Sequence, residues 1–170
     1  MQIETPFGPA WASVNEAGAL TRFHFGEPLP VHGGDCAEVA HQVAEYFRGE
    51  RLEFNLPLGP EGTAFQKLVW SELVRIPCGT TVSYGHLAKR LGRPGAARAV
   101  GRANATNPIW LVVPCHRVIG SNGTLTGYAG GVELKDKLLA WERRIAPGAG
   151  RELSLFADLP EPAAGFAASR

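Results

Sequence analysis

Three helical patterns separated by short turns, between residues 63 and 105, constrain the fold of this chain more than any other feature. Thr63 can cap the first helix and Ser83 can cap the second. A tight turn at Gly92–Gly95 separates the second helix from a third, predicted from Ala96 to Ala105. The order of helix, short turn and helix is that of a DNA-binding helix-turn-helix, although many αα-hairpins share it. The pattern therefore predicts a helix-rich unit in the second part of the chain.

The third predicted helix combines small residues with positive charge. Arg98 and Arg102 are four residues apart and share one face. Most of the other positions are small, namely Ala96, Ala97, Ala99 and Gly101. Such a helix can approach another surface closely. Packing inside a core would explain the alanines equally well, but it would not explain the arginines.

Charge is distributed unevenly along the chain. Residues 1–60 hold 3 basic and 8 acidic residues, a net charge of −5, whereas residues 61–150 hold 12 and 5, a net charge of +7. The alternative is that Lys and Arg only solvate helix faces. Together with the arginines of the third helix, the basic segment favours nucleic acid as a partner.

The first 60 residues read as a small α+β unit. The strands Ala10–Val14 and Ala19–Phe23 are predicted to form a hairpin. A helix follows from Ala37 to Phe47, and Leu52–Leu58 returns to an extended pattern. We therefore expect an N-terminal domain at 1–60, a second domain at 61–150 and a partly ordered tail at 151–170.

Composition indicates a globular protein of the cytosol. The hydrophobic fraction is 45% and the charged fraction 19%. No apolar run approaches the roughly 20 residues that span a bilayer, and the start does not resemble a signal peptide. The three cysteines, Cys36, Cys78 and Cys115, have unrelated spacings, so we expect free thiols. Because Cys36 with His24, His32 and His41 repeats no recognisable ligand spacing, no metal site is predicted.

Cys115 is the candidate nucleophile. The apolar run Ile109–Val113 predicts a strand that ends just before Pro114, and Cys115 and His116 follow. A thiol beside a base suggests reactive thiolate chemistry, whereas a lone cysteine after a strand is also a common buried apolar residue. Neighbouring residues of a regular strand point to opposite faces. A contact between Cys115 and His116 would then pass through a water molecule unless the chain bends.

From about Thr63 to Glu142 the chain resembles the O6-alkylguanine-DNA alkyltransferases. The matching pieces, in the family's order, are Val82-Ser83-Tyr84, Ala96 to Gly101, Asn107-Pro108, Pro114 to Val118, the glycine-rich loop through Gly130-Gly131, and Glu142. Residues 1–60 match this family in architecture only.

The resemblance implies a role for each candidate catalytic residue. Cys115 would accept the alkyl group, and His116 would take the thiol proton through water with Glu142 holding its ring. Tyr84 would donate a proton to the departing base. Asn107 would connect the helix-turn-helix to the segment that carries Cys115. An adjacent base would raise the thiolate population above that of an ordinary cysteine. Arg117 is open to a structural role or to a phosphate contact.

The resemblance also implies how DNA would be held. Arg98 would enter the duplex in place of the flipped nucleotide, while small residues allow the helix to approach the minor groove. The DNA-facing set is Ser83, Tyr84, Ala96, Ala97, Arg98, Ala99, Gly101 and Arg102. The base would be held by the backbone of Val118 and by the loop residues Tyr128, Ala129 and Gly130. Ala129 stands where many relatives have Ser.

The implied fold is a ribonuclease H-like N-terminal domain with an antiparallel sheet, followed by a winged-helix-like domain. The implied activity is a single irreversible transfer from O6-alkylguanine, and from O4-alkylthymine, in double-stranded DNA to Cys115. No cofactor is expected, because the alkyl group comes from the DNA, and no G-x-G-x-x-G motif follows a strand. The expected state is a monomer, with cooperative DNA binding left open.

Three other interpretations compete with this one. A non-catalytic binder of alkylated DNA would share the helix-turn-helix but would lack the acceptor cysteine. A cysteine hydrolase using Cys115, His116 and Glu142 would turn over and would need no basic surface. A winged-helix transcription regulator would have no use for the Pro114–Val118 motif.

Overall fold

A three-stranded antiparallel sheet forms from the first 25 residues. The computed structural model describes residues 1–28 and 34–146, and its strands β1 (Gln2–Thr5), β2 (Gly8–Val14) and β3 (Leu20–Phe25) pair in the order β1-β2-β3. The predicted hairpin is confirmed, with Ala12 opposite Phe23. Asn15 closes its turn by accepting hydrogen bonds from the backbone of Ala17 and Ala19. The strand β1 was not predicted.

Helix α1 (Ala37–Arg48) packs its apolar residues into the core, and its predicted extent is confirmed to within one residue. It ends at Gly49, whose φ of 76° is the left-handed conformation that favours glycine. The extended pattern of Leu52–Leu58 yields one isolated bridge, between Leu20 and Leu58, instead of a strand. Pro57 has no N–H to donate, which limits pairing in this segment.

The three helices predicted between residues 63 and 105 are all present. They are α2 (Ala64–Val74), α3 (Tyr84–Arg90) and α4 (Ala97–Ala105). Thr63 caps α2 in a capping box with Gln66, and the Ser83 hydroxyl accepts a hydrogen bond from the backbone of His86 at the start of α3. Helix α4 packs on both α2 and α3. The short strand β4 (Val82–Ser83) precedes α3 and pairs in parallel with β5 (Val118–Ile119).

The strand predicted for Ile109–Val113 is wrong. Ile109 makes a single bridge to Phe23, and the chain then coils through tight turns in which Leu111 has a φ of 67°. The backbone of Val113 bonds back to Ile109. All the apolar side chains of this run except Trp110 are buried. Because the segment is buried on every side, its sequence does not alternate between apolar and polar residues. A 3₁₀ turn, Cys115–Arg117, follows Pro114.

Helix α5 (Val132–Ile145) closes the fold, and its predicted bounds are confirmed to within one residue at each end. The sheet, the helices and the turns before Cys115 all contribute to one hydrophobic cluster. Its members range along the chain from Ile3 to Ala146. The structure is thus a mixed α/β fold with a small antiparallel sheet and, in the described ranges, five α-helices. None of these helices is long and apolar enough to cross a membrane. The predicted tail at 151–170, and residues 147–150 of the second predicted domain, lie outside the described residues.

Candidate active site and DNA-facing cleft

The Cys115 thiol lies in the interior, at the start of the 3₁₀ turn, with the residue only 2% exposed. The turn, not a strand, sets its direction. Asn107, just after α4, donates from Nδ2 to the carbonyl of Val113 at 2.8 Å and accepts from the backbone of Ile109 at 3.0 Å. This side chain therefore connects the end of the helix-turn-helix to the segment before Cys115, in the position that the resemblance implied.

The protonation state of Cys115 differs from the one expected. Burial raises the pKa of this thiol to about 11, although the Asn107 side chain and the charge of Lys135 lower it. At neutral pH the unliganded protein therefore holds a thiol, and the expectation of an enlarged thiolate population is wrong for this state. The proton has to leave during the reaction.

A buried histidine and carboxylate lie next to the thiol in the chain. His116 Nε2 is 2.8 Å from Glu142 Oε1, and both side chains are fully buried. Burial lowers the pKa of His116, although Glu142 acts in the opposite direction, so the ring is neutral at pH 7. With Nε2–H donated to the carboxylate, Nδ1 carries the free lone pair, and no described residue bonds to it. The ring is therefore arranged to accept a proton at Nδ1.

Glu142 is the centre of a buried polar network. Arg117 binds it through Nε and Nη2, the latter at 2.8 Å from Oε1, and also donates to the carbonyl of Ile76. The hydroxyl of Tyr46 and the backbone N–H of Gly79 each donate to the carboxylate at 2.9 Å. Arg117 is therefore a structural residue, and a phosphate contact by its side chain is excluded by its burial.

The ionisation of Glu142 follows from these partners. Burial alone would raise the pKa of Glu142, but the charges and hydrogen bonds of Arg117 and His116 outweigh it and hold that pKa well below its usual range. The sequence predicted Glu142 and His116. It did not predict Tyr46 or Gly79, because each comes from a distant part of the chain and no local pattern distinguishes it.

Lys135 is a third residue of the site that the sequence did not predict. Its side chain is fully buried, and its ammonium donates to the carbonyls of Val118 at 2.6 Å and Thr126 at 3.0 Å. Burial lowers the pKa of Lys135 to about 8, while interaction with Cys115 acts in the opposite direction. A lysine three residues before Leu138, on the apolar face of α5, was a detectable signal of this role.

Tyr84 lies between the helix-turn-helix and the loop before α5. Its half-buried ring is near Gly101, and its hydroxyl donates to the carbonyl of Thr126 at 3.2 Å. Burial raises the pKa of the phenol and the charge of an ionised Cys115 raises it further, whereas the amide of Asn104 lowers it. The phenol is therefore protonated at neutral pH and is electrostatically coupled to the sulfur.

An open cleft of about 1000 Å³ has Tyr84 in its wall. It is lined by nearly all of the residues predicted to face DNA, namely Tyr84, Ala96, Ala97, Arg98, Ala99, Gly101 and Arg102, together with the loop residues Ser121, Thr126 and Gly127. Arg98 and Arg102 are exposed. Ser83 is the exception: it is buried and its hydroxyl caps α3, so a direct contact to DNA by this side chain is a prediction that the structure does not support.

The loop predicted to hold the base has one buried and one exposed residue. Tyr128 is buried against Trp110, with ring centroids 5.6 Å apart, and Ala129 is exposed. A Cβ on Gly130 would lie 2.9 Å from Trp110, Tyr128 and Leu134, so only glycine fits there. In residues 1–28 and 34–146, no group of three or more His, Cys, Asp or Glu could hold a metal ion.

Comparison with known proteins agrees with this geometry. Residues 64–144 match the family model of the 6-O-methylguanine DNA methyltransferase DNA-binding domain. A methylated-DNA–protein-cysteine methyltransferase of Shigella flexneri is 45% identical over 159 residues, covering 83% of this chain and 93% of that protein.

Solved structures give the same relationship. The crystal structure of Mycobacterium tuberculosis O6-methylguanine methyltransferase superposes with a TM-score of 0.77 at 44% identity, covering 86% of this chain and 93% of that one. The structure of Mycobacterium tuberculosis OGT in complex with DNA gives a TM-score of 0.79 at the same identity and coverage. With a helix-turn-helix, a buried Cys-His-Glu arrangement and relatives that match along most of its length, this chain belongs to the methylated-DNA–protein-cysteine methyltransferase family.

Proposed function

We propose that this protein repairs DNA by taking the alkyl group of O6-alkylguanine onto its own Cys115, once per molecule. The observation that carries the proposal is the position of Cys115. It is buried in the turn that also holds His116 against Glu142, and its backbone carbonyl accepts a hydrogen bond from Asn104 of α4, the helix that lines the basic cleft. A family relative of known structure binds DNA, which supports the assignment of the cleft as the DNA-facing surface.

The reaction is a displacement at the alkyl carbon. His116 takes the Cys115 proton at Nδ1 through a water molecule, and Glu142 stabilises the resulting imidazolium. The sulfur forms a bond to the alkyl carbon while the bond from that carbon to O6 of the base breaks. The base would leave as an anion, and Tyr84 donates its phenolic proton to it. Because the resting thiol is protonated and the phenol is neutral, both protons are in place before the transfer.

The product explains a single turnover. A thioether at Cys115 is not readily hydrolysed, and the buried site offers no second nucleophilic thiol at this position. A cysteine hydrolase built on the same Cys115, His116 and Glu142 would instead regenerate its thiol. The two activities therefore differ in stoichiometry.

A mass measurement tests the proposal. Purified protein incubated with an excess of duplex oligonucleotide containing O6-methylguanine should gain one methyl group, located on the peptide that carries Cys115, and the reaction should stop at one per protein. The same duplex with unmodified guanine should give no adduct. Multiple turnover, or a protein whose mass does not change, would contradict the proposal.

Base flipping requires a side chain that fills the gap in the duplex, and we assign this role to Arg98. It is exposed on α4, and the small neighbours Ala97 and Ala99 allow the helix to come close to a groove. Extrusion of a base costs a few kcal/mol of lost stacking and pairing.

We expect Arg98→Ala to slow transfer from duplex DNA by about tenfold or more. It should change the reaction with a free O6-alkylated guanine derivative little, since the free base needs no flipping. Single-turnover rates on the two substrates measure the effect. Arg143→Ala, which removes the same charge from an exposed position on α5 outside the cleft, is the matched control. Equal slowing of both substrates by Arg98→Ala would refute this role.

Several finer assignments extend the proposal. We assign the region up to residue 60 to a ribonuclease H-like unit and residues 61–150 to a winged-helix-like unit, supported by the antiparallel sheet in the first and the helix-turn-helix in the second. We also propose a monomer that acts in the cytoplasm. Three buried free thiols fit a reducing compartment. O4-alkylthymine is proposed as a second, poorer substrate.

A further inference from the structure

Asn104 is a buried polar residue of α4 that takes no part in the proposed transfer. It is 2% exposed, and its Nδ2 donates to the backbone carbonyl of Cys115 at 3.3 Å. This bond determines which way the amide faces, because the opposite orientation would place two oxygens against each other. Asn104 is thus in contact with the residue that carries the nucleophile.

The other end of this amide is an acceptor without a donor. Asn104 Oδ1 is buried, and no described residue donates a hydrogen bond to it. The hydroxyl of Tyr128 is also buried and unbonded, so these two groups do not satisfy each other. The hydroxyl of Tyr84 donates to Thr126. Native proteins rarely leave such a group unpaired, so Oδ1 is available to accept a hydrogen bond from a bound molecule.

The Asn104 amide lies beside two residues to which the proposed function assigns the reaction, Cys115 and Tyr84. The Asn104 amide interacts with the phenol of Tyr84. A negative charge on Cys115 would raise the pKa of both Tyr84 and Tyr128. The backbone carbonyls of Cys115 and Val118 each accept one hydrogen bond, from Asn104 and from Lys135, and each keeps a second lone pair. Asn104 Oδ1 accepts no hydrogen bond from a described residue.

The chemistry of the lesion identifies a donor for it. Alkylation at O6 removes the N1 proton of guanine, so that N1, N3, N7 and O6 are all acceptors. The 2-amino group is then the remaining N–H donor of the base. O4-alkylthymine has lost its N3 proton and presents no N–H donor. A buried acceptor beside the reacting base therefore distinguishes the two lesions.

We propose that Asn104 is a specificity-determining residue whose side-chain oxygen accepts a hydrogen bond from the 2-amino group of the flipped base. The inference rests on the proposed function. It makes guanine lesions better substrates than thymine lesions, because a guanine lesion satisfies Oδ1 and a thymine lesion leaves it buried and unpaired.

A cross of two proteins and two substrates tests this role. Wild type and Asn104→Leu, which replaces the amide with an apolar group of similar size, are compared on identical duplexes containing O6-methylguanine or O6-methylhypoxanthine, which lacks the 2-amino group. Single-turnover rates of methyl transfer are measured at subsaturating DNA. Removing the amino group should slow wild type by about tenfold or more and Asn104→Leu by less than about threefold.

Two further variants keep the test decisive. Asn104→Ala is the substitute if Asn104→Leu does not fold, because the smaller side chain cannot overpack the core. Its transfer rate should show the same reduced sensitivity to loss of the 2-amino group. Thr106→Val changes a polar residue at the end of the same helix that does not contact Cys115, and it should retain the sensitivity of wild type. Wild type and both Asn104 variants should also differ in their preference for O6-methylguanine over O4-methylthymine, and the preference should be smaller in the variants.

The results distinguish a failure of this inference from a failure of the proposed function. If wild type transfers methyl from O6-methylguanine but loss of the amino group slows wild type and the Asn104 variants by the same factor, Asn104 does not read the base. That result would also follow if a bound water satisfied Oδ1. If wild type forms no adduct with O6-methylguanine, the proposed function itself fails.

Discussion

Replacing Cys115 with alanine is expected to reduce methyl transfer to background while leaving affinity for duplex DNA within about twofold of wild type, a difference of less than ~0.5 kcal/mol. The sulfur is the atom that forms the new bond, and no other described side chain lies in its place. Cys115 is buried and is not one of the residues that line the cleft, so its truncation changes no atom of the DNA-facing surface. Transfer is measured with a methyl-labelled duplex, and binding by fluorescence anisotropy on the same duplex.

Cys36→Ala is the matched control for this substitution. Cys36 is an equally buried free thiol, but it lies at the start of α1, where its sulfur is 3.8 Å from the carbonyl of Ala12. The control loses the same atoms from the interior and should transfer methyl at the wild-type rate. Label recovered on the Cys115→Ala protein would show that another residue is the acceptor. A large loss of DNA binding would show that Cys115 has a structural role in the cleft.

The parts of the fold that the sequence predicts well are those determined by local chemistry. Thr63 and Ser83 supply hydroxyl caps for the helices that follow them, and both caps are present. Helix α5 begins and ends within one residue of its predicted bounds because an apolar face repeats at the helical period. Neither case requires knowledge of the rest of the chain.

The errors arise where distant residues decide the structure. The run Ile109–Val113 has the composition of a strand, but its segment pairs with the sheet at one residue only and is otherwise held by Asn107. Burial on every side removes the alternation that would distinguish a strand from a coil.

The candidate site shows the same limit. Cys115, His116 and Glu142 were predictable because a resemblance assigns them roles. Tyr46 joins Glu142 from 96 positions away in the chain, a contact that no spacing rule indicates. The raised pKa of Cys115 is likewise a consequence of burial, which the sequence alone does not quantify.

Glu142→Ala is expected to lower the free energy of unfolding by about 3–5 kcal/mol at pH 7, because it leaves the buried guanidinium of Arg117 without its counter-charge. The substitution also removes the acceptor for Tyr46, His116 and the backbone of Gly79. Urea unfolding at constant temperature measures the change. Glu133→Ala on the same helix is the control, because Glu133 pairs with Lys137 at the exposed surface and its removal should leave the free energy of unfolding almost unchanged.

The pH dependence of this difference tests its electrostatic origin. The pKa of Glu142 is held below its usual range in the folded protein, so its contribution is fully present above the pKa of an unfolded glutamate, about 4.3. Below that pH the unfolded chain binds a proton at Glu142 that the folded protein does not, and the contribution decreases as the pH falls. The difference in free energy of unfolding between wild type and Glu142→Ala should therefore be the same at pH 6 and at pH 7, because both pH values lie well above about 4.3. The difference should become smaller at pH values below about 4.3. A gap that stays the same in acid would mean that lost packing, and not the carboxylate, accounts for the destabilisation.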